Sequence, residues 1–185
     1  MIRWFLDRQL RAFQRQWGYD AAYMSDMLAA DPSAVLRFGM ATSAIGRYRK
    51  GVPPAPWFAA GLVSVMAEDC GPCSQLAVDM ALDAGVGPAV LRAVVERDFV
   101  AMPAEVALAV RYADACLAHA PQADEIRDDI VRLWGKRGLI SLAFAITAAR
   151  IYPTVKYALG HGRACVRLNI AGETRAVRPV LHVAA

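Results

Sequence analysis

The sequence has little cysteine and no long apolar run without a charge, and each absence excludes a class of protein. Four cysteines in 185 residues do not make a secreted disulfide scaffold, which is a short and cysteine-dense chain. The longest uncharged apolar runs, residues 55–67 and 138–149, fall short of the roughly 20 residues that span a bilayer. The amino terminus scatters charges among its apolar residues, unlike a signal peptide. We therefore expect a cytoplasmic protein with buried helices and no membrane association.

Clusters of positive charge are also lacking, although the net charge is +4. The first fifty residues and the tail after residue 160 are basic, and the arginines lie singly among apolar neighbours. A nucleic-acid site would group Lys and Arg or interleave them with aromatic residues. We therefore expect no nucleic-acid partner and interpret the basic residues as solvated helix faces.

Apolar residues at helical spacing are abundant and predict an all-α fold. In the first segment, spacings of three and four place one stripe on a single helix face; its members are Ile2, Phe5, Leu6, Leu10, Phe13 and Trp17. Asp31 followed by Pro32 is a helix-start signal. Further helices are predicted over residues 56–68, 72–84, 88–98, 103–119, 124–134 and 138–159. Gly135 supplies a stop, and Pro153 is expected to bend the last helix because proline cannot donate the helical hydrogen bond.

The segment "YRKGVPPAPW", residues 48–57, is the clearest break, with one glycine and three prolines. We interpret it as a loop inside a single domain, 1–185. The domain then has an amino-terminal helical region, 1–50, a core, 54–160, and a tail, 161–185. We expect the helices around residues 56–84 and 138–159 to form the centre, with the basic amino-terminal helices packed outside. In the tail, Val166, Leu168 and Ile170 alternate with polar residues, which predicts a short strand or an extended arm.

The most informative motif is Cys70-Gly-Pro-Cys73, which can be a redox dithiol, half of a metal site or two buried small side chains. Proline is tolerated in the first turn of a helix and glycine permits a sharp turn before it, so the motif predicts a helix start. Cys73 then falls in the first turn, where the helix dipole favours a thiolate. This suits an attacking Cys73 and a resolving Cys70, although the sequence leaves open which sulfur attacks.

A zinc site is an alternative, because Cys116 and His119 could complete a Cys₃His tetrahedron with Cys70 and Cys73. The connection of more than forty residues is longer than in usual zinc modules, so we expect neither a metal nor another cofactor. His161 and His182 have no partner pattern and are interpreted as surface residues. Cys165 is interpreted as a small apolar residue of the tail.

Three stretches carry a family resemblance: "LVSVMAEDCGPCSQLAVDMALDAGVGPAVLRAVV", "MPAEVALAVRYADACLA" and "LISLAFAITAARIYPTVKYALG". In this order they resemble the carboxymuconolactone decarboxylase and alkylhydroperoxidase D-like superfamily. The resemblance covers about residues 54–160 and implies an all-helical fold with the dithiol at a helix start. It also implies a homo-oligomer, a trimer or larger.

The resemblance implies Cys73 as the attacking thiol and Cys70 as the resolving thiol. Peroxidase members also have a proton relay, but its histidine position is Ala77 here and its glutamate region lies near Trp57 and Phe58. Substitutes are available near the dithiol, with Glu68 as the first candidate and Asp69 and Gln75 as others. Glu68 and Asp69 can equally be solvated carboxylates at a helix end.

We therefore expect a thiol-dependent redox protein that reduces a hydroperoxide or exchanges disulfides and is itself reduced by a thiol protein. The alternative is a non-catalytic or small-molecule-binding member of the same fold, with weakly reactive cysteines. Lactone decarboxylation is disfavoured, because that branch of the superfamily does not need the dithiol.

Overall fold

The computed structural model describes residues 2–162 and 167–177, and helices dominate this part of the chain. The helices are α1 (Ile2–Trp17), α2 (Ala22–Ala30), α3 (Pro32–Gly46), α4 (Pro54–Ala67), α5 (Gly71–Asp83), α6 (Pro88–Glu96), α7 (Ala104–Leu117) and α8 (Ala123–Ala158). Two short strands follow, β1 (Arg167–Ile170) and β2 (Glu173–Ala176). The predicted all-α class is confirmed.

Several helices begin at prolines, as the sequence predicts. Proline lies in the first turn of α3, α4, α5 and α6, where its missing N–H would have had no helical partner. The α3 start also has a side-chain cap, since the Asp31 carboxylate accepts a hydrogen bond from the Ser33 backbone N–H at 2.8 Å. These local rules fix where the helices start before any tertiary contact forms.

Helix α4 lies at the centre of the core and packs most extensively against α7 and α8. Its buried residues occupy more than one face; they are Pro56, Ala59, Ala60, Leu62, Val63, Ser64, Val65 and Met66. We expected α4, α5 and the second part of α8 to form this centre. Helix α7 belongs to it as well, because alanine and valine on its buried face allow close approach to α4.

Helix α8 contains the break predicted at Gly135, whose φ of 69° and ψ of 179° are not helical. A positive φ is readily adopted by glycine because it has no Cβ. The helix continues through the buried Pro153. The two helices predicted over 124–134 and 138–159 therefore correspond to the two parts of α8.

Among the described residues, α8 is also the one helix whose length and mean hydropathy would suffice to cross a membrane. In this structure it packs against α3, α4 and α7. Long core helices of water-soluble proteins meet the same criterion. The absence of membrane association stays a prediction.

The tail forms an antiparallel hairpin in which β1 pairs with β2. Ala171 and Gly172 form the turn, both with positive φ, as two-residue hairpin turns require. Leu168 and Ile170 are fully buried, which agrees with the predicted strand alternation, although the second strand was not foreseen.

Gln75 of α5 holds the hairpin in place. Its side-chain oxygen accepts from the Asn169 backbone N–H at 2.8 Å, and its Nε2 donates to the Asn169 carbonyl at 2.9 Å. The sequence made Gln75 one of three candidates to substitute for the relay. Its amide is instead engaged with the tail and with Asp79.

The Gly138 position gives a test of the packing around the break in α8. A Cβ built there would lie 2.3 Å from the Trp134 Cβ and 3.3 Å from Val52 Cγ2. We predict that Gly138→Ala lowers the free energy of unfolding by about 1–3 kcal/mol, as overpacking typically does.

Gly39→Ala is the matched control, because it lies inside α3 with nothing within 4 Å of a new Cβ. It should raise stability by about 0.5–1 kcal/mol through helix propensity. Urea unfolding followed by circular dichroism measures both changes, and equal stability of the two variants would contradict the prediction.

Candidate functional site

The dithiol lies at the start of α5, as predicted. Cys70 is the N-cap residue, with extended backbone at φ −107° and ψ 96°, and Cys73 lies in the first turn. Both are free thiols. Cys70 has no solvent-exposed surface, and 6% of the Cys73 surface is exposed. The site is therefore a buried, reduced cysteine pair.

A tight turn connects the end of α4 to Cys70. Asp69 has a left-handed φ of 49°, which turns the chain sharply between the two helices. The preceding Glu68 is the C-cap of α4, and its carboxylate accepts a hydrogen bond from Arg150 Nε at 2.5 Å. Neither sulfur is among the hydrogen-bonding partners of Glu68. The structure thus places our first candidate base in an ion pair with α8.

Three residues that the sequence analysis did not select surround the sulfurs. The Tyr19 hydroxyl, between α1 and α2, lies 3.6 Å from Cys73 Sγ. Lys156 of α8 points its Nζ at the rings of Tyr19 and Tyr23, 4.9 and 5.4 Å from their centroids. The site therefore joins the dithiol to an aromatic pair and a cation.

Lys156 is buried, with 2% of its surface exposed. It forms no salt bridge with any carboxylate in the described part of the chain. Cation–π contacts stabilise an ammonium in part, but a buried charge remains costly unless it is paired. An anion formed at the sulfurs would meet this requirement.

The two thiols differ in their electrostatics. The pKa of Cys70 is lowered to about 7, chiefly by the hydrogen-bonding Cys73 thiol, and also by the Cys73 backbone N–H and the Lys156 charge. Burial and the Asp69 carboxylate oppose this shift. The pKa of Cys73 is raised strongly by its hydrogen bond with Cys70 and by burial.

These directions favour the negative charge on Cys70 rather than on Cys73, whereas the sequence favoured Cys73, and the attacking role of Cys73 stays a prediction. The reason for the preference is the N-cap position. Cys70 lies just outside the helix, so the thiol and backbone N–H of Cys73 both favour negative charge on it.

The tyrosines remain protonated in this environment. Burial raises the pKa of Tyr19 most, with smaller contributions from Tyr23 and Cys73. Burial likewise raises the pKa of Tyr23, whose hydroxyl is buried without a hydrogen-bond partner among the described residues. Tyr19 is thus available as a neutral hydrogen-bond donor to sulfur.

The positions of the expected proton relay contribute packing instead. Ala77 is partly buried and packs against the core. Trp57 and Phe58 are partly buried as well and form an edge-to-face pair with centroids 4.9 Å apart. The relay positions thus supply neither an imidazole nor a carboxylate.

The zinc alternative gains no support. No group of three or more His, Cys, Asp or Glu residues within 2–162 and 167–177 is arranged to hold a metal ion. Cys116 instead interacts with Tyr112, and His119 Nδ1 lies 3.1 Å from the Cys116 carbonyl oxygen.

His161 was expected to lack a partner, yet its Nε2 lies 2.9 Å from a carboxylate oxygen of Asp26. It thereby links the end of α8 to α2. The predictions for Cys165 and His182 lie outside the described residues.

No family model, curated protein or solved structure matches the chain. The superfamily resemblance therefore rests on the order of sequence motifs and stays a prediction.

The pKa values of the two thiols give a direct test. We predict that alkylation of Cys70 in the folded protein rises with pH to a plateau with a midpoint near pH 7, because its thiolate forms there. Cys73 should react slowly across this range, since its raised pKa keeps it protonated. Peptide mass spectrometry after short iodoacetamide pulses measures both rates.

Cys116 is the internal control, because burial raises its pKa and its midpoint should lie above that of Cys70. Faster labelling of Cys73 than of Cys70 at neutral pH would contradict the assignment of the thiolate.

Proposed function

We propose that this protein is a dithiol peroxidase that reduces small hydroperoxides and is regenerated by a thiol reductant protein. The observation that carries the proposal is the buried, reduced Cys70–Cys73 pair at a helix start, with Cys70 favoured as the thiolate. Cysteines with a low pKa next to a second cysteine are typical of peroxide-reactive sites. The resemblance of residues 54–160 to alkylhydroperoxidase D-like proteins points to the same chemistry.

The reaction has two steps. The Cys70 thiolate attacks the terminal oxygen of the hydroperoxide, the O–O bond breaks, and the alkoxide leaves and takes up a proton. Cys70 becomes a sulfenic acid. The Cys73 sulfur then attacks Cys70 Sγ, the S–S bond forms, and hydroxide leaves as water with the Cys73 proton. One hydroperoxide is reduced to an alcohol and water, and two thiols are oxidised to a disulfide.

Burial of both sulfurs favours a small oxidant over a bulky protein disulfide. Cys70 has no exposed surface and Cys73 has little, whereas exchange with a protein requires a sulfur to reach the surface. Reduction by a thiol protein therefore needs the cover over the pair to open. Tyr19 and Tyr23, which precede the core region, belong to that cover.

The second candidate function is a non-catalytic member of the same fold. The same burial is the observation that favours it, because reactive cysteines are usually partly exposed. Two clefts, one between α1 and α2 and one on α8, are lined by other residues. If neither thiol reacts in the folded protein, the non-catalytic function is favoured over the peroxidase.

Self-association is part of the proposal. Large apolar side chains are exposed on α1 and α8, among them Ile2, Trp4, Phe5, Ile140, Tyr157 and Leu159. Exposed apolar patches on a soluble protein are often interaction sites. We predict a homo-oligomer, a trimer or larger, in light scattering at micromolar concentration. A monomer at that concentration would contradict this prediction without affecting the thiol chemistry.

Peroxide turnover tests the roles of the two cysteines. We predict that Cys70→Ser abolishes reaction with hydroperoxide, whereas Cys73→Ser still forms one sulfenic acid but cannot turn over. Cys116→Ser is the matched control and should behave as the wild type. A trapping reagent for sulfenic acids and a dithiol-coupled peroxide assay measure the two steps. Sulfenic acid on Cys73 in the Cys70→Ser variant would reverse the assignment.

The same assay tests the missing relay. Position 77 lies one helical turn after Cys73, so Ala77→His would supply a base that can take the Cys73 proton as the disulfide forms. We predict slow wild-type turnover and a faster Ala77→His variant, since general acid–base assistance is typically worth about 10²–10⁴ in rate. Fast wild-type turnover that needs both cysteines would mean that another group already serves as the base.

A further inference from the structure

We propose that Lys156 is the counter-ion for the negative charge of the Cys70–Cys73 pair, and that Tyr19 orients the Cys73 thiol toward Cys70. This inference rests on the proposed function, because it concerns the same dithiol. Both residues act through the sulfurs, Lys156 as a positioning residue and Tyr19 by direct contact with Cys73.

The position of Lys156 is the first step of the argument. It lies three residues after the buried Pro153 on α8, on the face that points into the protein. The faces of two tyrosine rings cover its ammonium, and no described carboxylate pairs with it. The Tyr19 ring beneath its Nζ carries the hydroxyl that lies 3.6 Å from Cys73 Sγ, so the dithiol is near enough to supply the anion that a buried cation requires. The Lys156 charge accordingly acts to lower the pKa of both thiols.

The groups that face Cys70 come from four parts of the described chain. Cys73 belongs to α5, Lys156 to α8, Tyr23 to α2 and Asp69 to the connection before α5. Lys156 is the cation among them, and Asp69 acts in the opposite direction. Tyr23 is neutral because burial raises its pKa. Removing the Lys156 charge would therefore raise the pKa of Cys70.

Tyr19 determines how Cys73 is oriented. When Cys70 is the thiolate, Cys73 donates its S–H to Cys70, and the lone pairs of Cys73 Sγ face the neutral Tyr19 hydroxyl at 3.6 Å. Tyr19 is then the donor in a chain from its O–H through Cys73 to Cys70. Such chains polarise cooperatively, and the Lys156 cation over the Tyr19 ring further favours donation of the phenolic hydrogen.

This arrangement has a consequence for the redox equilibrium. Disulfide formation removes the anion from Cys70, so the disulfide form leaves Lys156 without its counter-ion. Stabilising the reduced form makes a dithiol pair more oxidising. The Lys156 charge should therefore raise the reduction potential of the pair as well as its reactivity at neutral pH.

The decisive experiment compares Lys156→Met, which removes the charge, with Lys156→Arg, which keeps it. At pH 7 the alkylation rate of Cys70 should fall several-fold in Lys156→Met, because one of the groups that lower its pKa is lost while the Cys73 thiol and backbone N–H remain. Lys156→Arg should keep most of the rate. Lys136→Met, at an exposed position, is the matched control and should change nothing.

A folded Lys156→Met protein with the wild-type alkylation profile would overturn the proposal. The equilibrium with glutathione is a second readout, in which Lys156→Met should favour the disulfide about tenfold, equivalent to about 30 mV.

If Lys156→Met does not fold, the side-chain nitrogen of Lys156 is followed in the wild type by ¹⁵N NMR. Its signal should change with the midpoint of Cys70 ionisation, and an unchanged signal through that pH range overturns the inference.

Tyr19→Phe tests the other half of the proposal, with Tyr48→Phe as the matched control at the edge of the core. Loss of the Tyr19 hydroxyl should slow disulfide closure from the Cys70 sulfenic acid several-fold without preventing its formation. Unchanged closure would refute the role of Tyr19.

None of the alkylation measurements needs peroxide turnover. The peroxidase proposal can therefore fail while the Lys156 effect persists, and a working peroxidase without a Lys156 effect is equally distinguishable.

Discussion

The need to accommodate one buried cation organises the centre of this molecule. Water stabilises an ammonium far better than a protein interior does, so the Lys156 charge must be matched by ring faces and by an anion. Tyr19 and Tyr23 supply the rings, and the dithiol is the group that can supply the anion. The Lys156 ammonium thus lies where the start of α5, the Tyr19 and Tyr23 rings and helix α8 come together.

This arrangement changes the role of the amino-terminal region. We expected helices α1 to α3 to pack outside a core formed by residues 54–160. The connection between α1 and α2 instead brings Tyr19 to Cys73, and α2 brings Tyr23 to Lys156. The segment that resembles a known superfamily therefore contains the thiols but only part of their surroundings. Chemistry inferred from that segment alone would omit the groups that distinguish the two sulfurs.

The sequence predicted features that depend on neighbouring residues and missed those that depend on distant ones. Pro72 within the dithiol marked the helix start, and Gly135 marked the break in α8, because both act through local backbone geometry. The lowered pKa of Cys70 depends in part on a lysine from another helix. One signal was present, since Lys156 follows Pro153 at helical spacing within an apolar stretch and was therefore a candidate for burial. No local rule could pair it with a cysteine.

The docking of the tail hairpin has a consequence for how the two sulfurs meet. Gln75 lies two residues after Cys73 and makes two hydrogen bonds to Asn169, and the side chains of Leu168 and Ile170 in β1 are buried. The hairpin thus packs along the first turns of α5 and restrains that end of the helix from fraying. When this helix end is restrained, little conformational entropy is lost as the Cys70–Cys73 disulfide closes its small ring. Each sulfur therefore has a high effective concentration near the other.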